Sequence, residues 1–70
     1  MKNESLLMNR HAAIKFLTAK GHRADIVETF LDDLTEDAQN GCISSYIMGD
    51  YRVTGMPFNL FVIREITDSI

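Results

Sequence analysis

Asp25-Ile26-Val27-Glu28-Thr29-Phe30-Leu31-Asp32-Asp33-Leu34 places its apolar residues at i, i+1, i+4, i+5 and i+8, the spacing that gathers them on one side of a 3.6-residue helix. Burying that stripe leaves Asp25, Glu28, Thr29, Asp32 and Asp33 facing water. The segment therefore predicts a helix that is oily on one flank and anionic on the other. Farther along, Asp32, Asp33, Glu36 and Asp37 crowd the negative end of the helix dipole. A helix over 24–39 is expected, either broken near Leu34, with Thr35 capping a short extra turn and Asn40-Gly41 closing it, or continuous to Gln39.

Upstream, Leu6, Ala13 and Leu17 share a narrow arc flanked by Ile14 and Phe16, which predicts a first helix over 6–20 capped by Asn3 or Ser5. Gly21 can adopt the left-handed conformation that stops a helix, so His22 and Arg23 become a short corner between two helices. Residues 1–4 and 67–70 read as loose ends.

Downstream of Gly41 the composition shifts to β-branched and aromatic residues with turn signals. Strands are expected over 42–48, 51–55 and 58–66, with Gly49-Asp50 as a primed two-residue hairpin turn. Gly55-Met56-Pro57 marks the second turn. Leu60-Phe61-Val62-Ile63 is apolar on both faces, which predicts a central strand or one covered by a partner. The fold class is α+β: two N-terminal helices on a three-stranded antiparallel sheet, in the order ααβββ, with a winged-helix-like arrangement as the variant.

A chain of 70 residues buries only about 60% of its unfolded surface and has room for one core. Its 46% hydrophobic and 24% charged residues fit a globular protein and argue against disorder or low complexity. No apolar run approaches the ~20 residues of a membrane span, and no secretory leader is evident. A single cysteine, Cys42, cannot close an internal disulfide, so a soluble cytoplasmic protein is expected.

Charge is unevenly distributed. Up to Arg23 the side chains sum to +4, with Lys2, Arg10, Lys15, Lys20 and Arg23 against Glu4; Asp25, Glu28, Asp32, Asp33, Glu36 and Asp37 then give -6. The remainder carries -1, with Arg52 and Arg64 against Asp50, Glu65 and Asp68.

Tests for chemistry are negative. Cys42, His11 and His22 come without a nucleophile motif, and Cys42 reads as a small packed side chain at the start of a strand. His22 and Asp25 supply at most two metal ligands. Asp32 and Asp33 point about 100° apart on a helix and cannot flank one bond. Gly41, Gly49 and Gly55 are too scattered to cradle phosphate. No enzyme, cofactor or metal is expected.

Two functions remain. The first is a small non-catalytic protein-binding module, an inhibitor or adaptor of the size that phages and other mobile elements encode. It would use Asp25, Glu28, Asp32, Asp33, Glu36 and Asp37 to occupy a basic, nucleic-acid-binding surface of its target. The second is a winged-helix-like DNA-binding regulator contacting phosphates through Arg10, Lys15, Lys20, Arg23 and Arg52, although its second helix carries the wrong charge. A second copy of the chain is a further candidate partner, through the strand running from Phe58 to Ile66 or an exposed Phe61.

Overall fold

The computed structural model describes residues 5–66; the expectations for 1–4, Asn3 as a cap among them, and for 67–70 lie outside the described residues. The chain forms β1 (Ser5–Asn9), α1 (Arg10–Ala19), α2 (Ala24–Gln39), β2 (Ser45–Met48), β3 (Tyr51–Met56), a single 3-10 turn (Pro57–Asn59) and β4 (Leu60–Glu65). The strands make one antiparallel sheet in the order β1-β4-β3-β2. The α+β class is as expected, but the sheet has four strands rather than three.

The added strand comes from the stretch read as the start of the first helix. Ser5, Leu6, Leu7, Met8 and Asn9 pair with Arg64, Ile63, Val62, Phe61 and Leu60. Leu6 thus lies on a strand, and Ser5 caps nothing. Asn9 ends β1 and at once caps α1, its side-chain Oδ1 accepting a hydrogen bond from the Ala12 N–H at 2.9 Å. That bond satisfies one of the free N–H groups of the first turn and lets strand pass into helix without a loop.

Both helices stop by the same device. Gly21 (φ 101°) and Gly41 (φ 86°) are left-handed. The N–H groups of Gly21 and His22 donate to the carbonyls of Thr18 and Leu17, and those of Gly41 and Cys42 donate to Ala38 and Asp37. This is the Schellman pairing.

Helix α2 is continuous from Ala24 to Gln39, so of the two alternatives the break near Leu34 does not occur. Val27, Leu31 and Leu34 are fully buried. Each contributes about 1.5–3 kcal/mol, against about 0.3–1 kcal/mol for a carboxylate at the negative pole. Asp37 also turns aside, accepting a 2.6 Å hydrogen bond from the Ser44 hydroxyl. Thr35 does not cap a new turn; its hydroxyl donates back to the Leu31 carbonyl.

The core lies between the two helices and one face of the sheet: Ala13 and Leu17 of α1, Val27, Leu31 and Leu34 of α2, and Met48, Val53, Phe61 and Ile63 of the strands. Phe61 has no exposed surface, so the expected use of an exposed Phe61 in dimerisation is overturned. Edge-to-face contact of Phe16 with Tyr51 (centroids 5.2 Å apart) and stacking of Phe30 on Tyr46 (4.6 Å) seal the flanks of the helix layer.

β2 starts at Ser45, so Cys42 is an exposed loop residue rather than a packed strand residue. Gly49 alone of the two hairpin residues has positive φ (61°), as in a II′ turn. Gly55, expected to end the strand 51–55 where the second turn begins, is a buried position within β3, which runs on to Met56. A Cβ there would stand 2.7 Å from Leu34 Cβ and 2.8 Å from the Leu34 carbonyl oxygen. Only hydrogen fits beneath the α2 backbone.

Gly55→Ala should therefore destabilise the protein by about 1–3 kcal/mol, as overpacking does. The same substitution at Gly55 would be neutral or stabilising if α2 stood clear of β3. Urea unfolding followed by circular dichroism distinguishes these results.

Candidate functional site

α2 carries six carboxylates and no basic residue between Ala24 and Gln39. Opposite the buried stripe, Asp25, Thr29, Asp32, Asp33 and Glu36 are exposed along the outer face, and Glu28 is exposed on its flank. From Asp25 to Glu36 the strip extends about 16 Å at 1.5 Å per residue.

The six carboxylates are not equivalent. Asp25 accepts from the Arg23 guanidinium at 2.9 Å and from the Ile26 N–H. Asp32 pairs with Arg10 of α1 at 2.6 Å, Asp33 accepts from the Tyr46 hydroxyl at 3.3 Å, and Asp37 is held by Ser44. Glu28 and Glu36 enter no ion pair among the described residues. The strip is thus anchored at four points and open at two.

The basic residues do not gather. Arg10 and Arg23 are engaged by Asp32 and Asp25. Lys20 holds its ammonium 5.2 Å from the Phe16 ring centre and 5.7 Å from that of Tyr51, a cation–π arrangement. Lys15 is exposed on α1. Arg52 belongs to β3, where its cross-strand partners are Ile47 and Arg64. Side chains alternate along a strand and Val53 is in the core, so Arg52 projects from the sheet face away from the helices. The hairpin that a winged helix would extend as a wing is here part of the layer under the helices.

That far face was not singled out in the sequence. Its cross-strand register sets Ser5, Arg64, Arg52 and Ile47 in one row, Leu7, Val62, Thr54 and Ser45 in the next, and Asn9, Leu60 and Met56 in the third. Neither helix covers it, and Leu7 and Ile47 are 63% and 58% exposed. The signal available in advance was the two-sided apolar run Leu60-Phe61-Val62-Ile63: Phe61 and Ile63 fill the core, while Leu60 and Val62 look outward.

At one end of the sheet Phe58 is 91% exposed, in the left-handed region (φ 66°, ψ 31°) and followed by Asn59 at φ 61°. A bulky residue there costs about 1–2 kcal/mol. The residue expected to open the last strand is therefore the tip of a strained turn, and the side-chain amide of the neighbouring Asn59 lies 3.2 Å from the Thr35 hydroxyl of α2.

Among the described residues no three His, Cys, Asp or Glu side chains converge as a metal site would require. The His22 ring lies near Gly49, where an added Cβ would sit 3.1 Å from it. No described helix is long and apolar enough to cross a membrane.

No protein-family model matches the chain, and neither a curated protein nor a solved structure does. The acidic face does leave a titration signature of its own. The negative charge of Asp33, then partial burial, then the hydrogen bond to Asp33 and the charge of Asp37 raise the Tyr46 pKa above its ordinary value of 10.0. A folded-state pKa raised in this way means the contribution to stability is present below the unfolded pKa and is lost as pH rises through the folded one. In an alkaline titration followed by phenolate absorbance, Tyr46 should ionise above pH 10.0. Asp33→Asn should lower its midpoint; an unchanged midpoint would contradict the contact.

Proposed function

We propose that this chain is a small non-catalytic protein-binding module, an inhibitor or adaptor, that sets the outer face of α2 against basic side chains of another protein. A groove built to hold nucleic acid is the kind of surface that fits. The observation that carries this reading is the strip itself: carboxylates along one exposed helix face, with Glu28 and Glu36 free of ion pairs among the described residues. Such a strip draws a cationic partner by long-range attraction, and added salt slows that association.

The DNA-binding alternative finds less support. Its recognition helix would bring Asp25, Glu28, Asp32 and Asp33 toward phosphates, at an electrostatic cost. Its cations lie on different sides of the fold, and two of them are engaged by carboxylates.

The test uses Glu28→Lys with Glu36→Lys, because neither carboxylate makes an ion pair among the described residues that its loss would break. Affinity capture from the native host at low salt should recover a partner with the unaltered chain and lose it with the double variant, whose circular dichroism stays unchanged. Retention of the partner would overturn the acidic docking face. Duplex DNA should show no mobility shift at low salt; a salt-sensitive shift would favour the regulator instead.

A further inference from the structure

We propose that the face of the sheet left uncovered by the two helices is a second docking surface, and that its occupant is an acidic, apolar segment of a partner protein. The inference goes beyond the α2 reading, since it concerns the opposite side of the molecule and a partner of opposite charge.

Arg52 and Arg64 are directly paired across β3 and β4, and neither forms an ion pair among the described residues. Like charges at directly opposed positions repel. Around the pair the face mixes apolar and small hydroxyl side chains: Ile47 and Ser5 share its row, Leu7 and Val62 stand with Thr54 and Ser45 in the next, and Leu60 and Met56 lie in the third. No carboxylate belongs to the three rows. A ligand that brings carboxylates to the arginine pair would relieve the repulsion and gain charge-assisted, two-pronged hydrogen bonds. Leucine-like side chains on the same ligand would cover the apolar rows.

Size and charge select among occupants. With strands about 4.8 Å apart and alternate residues about 6.8 Å apart, the three rows span about 14 Å each way. That accommodates one helix, which is about 10 Å across. It falls well short of the ~800 Å² per partner of a standard interface, so two copies packed face to face would form a weak dimer. They would also bury arginines with no carboxylate in the three rows of either copy, which is costly. Nucleic acid fits less well: the face offers two cations on a chain of net charge -3, and no aromatic platform for stacking bases lies in its rows. The chain's own α2 cannot serve on a second copy, because its carboxylates are displayed while its apolar stripe is buried.

The probe is a synthetic amphipathic peptide of leucine and glutamate, with a leucine and lysine peptide of equal length as control, titrated into the isotope-labelled chain and followed by amide NMR. The acidic peptide should give saturable shifts at Leu7, Leu60, Val62, Arg52 and Arg64 and leave α2 unmoved. Arg52→Glu should weaken binding about tenfold or more. The same substitution places opposite charges across the strands, so Tm should hold or rise, an outcome that loss of a structural residue would not give. Equal binding by the lysine peptide, shifts confined to α2, or tighter binding of a single-stranded oligonucleotide would each overturn the proposal. So would sedimentation showing that these residues are already covered by a second copy. Failure here leaves the Glu28 and Glu36 capture result standing, so the two surfaces are judged separately.

Discussion

The contact of the Leu34 backbone with Gly55 is the constraint on which the rest of the structure depends. A helix usually rides on a sheet at the distance set by the side chains between them. Here the absence of a side chain at Gly55 lets α2 settle until its own backbone meets β3. Val27, Leu31 and Leu34 then share one buried cluster with Val53, Phe61 and Ile63. A small domain has little stability to spare, and close packing at that one crossing keeps the core continuous.

Orientation follows from depth. With its apolar stripe fixed against β3, α2 turns its carboxylates away from the sheet, while strand alternation sends Arg52 and Arg64 to the opposite surface. The negative charge of Asp25, Asp32 and Glu36 and the positive charge of the arginine pair are thus held on opposite sides of the core. That separation gives the molecule two surfaces of different chemistry.

Much of this was legible in residue order, and the failures share a cause. The α2 stripe, the stops at Gly21 and Gly41 and the turn at Gly49-Asp50 are local devices, set by periodicity and by glycine's freedom at positive φ. β1 was not legible, because Leu6, Leu7 and Met8 are ordinary helix formers and become a strand only by pairing with Val62 and its neighbours, far along the chain. The break considered near Leu34 weighed carboxylates against a dipole without knowing that Asp37 is held by Ser44. Gly55 resembled a turn glycine because only the helix above it reveals why a side chain is excluded. The acidic strip could be read from periodicity, whereas the arginine pair on the far face required the register of β3 against β4.

The most direct measurement of the central claim is a nuclear Overhauser spectrum resolving the Gly55 α protons. The account predicts strong cross-peaks from them to the Leu34 β protons. Gly55 α protons that show only sequential and cross-strand neighbours, with none from Leu34, would contradict it, for α2 would then stand off the sheet or face it with another side.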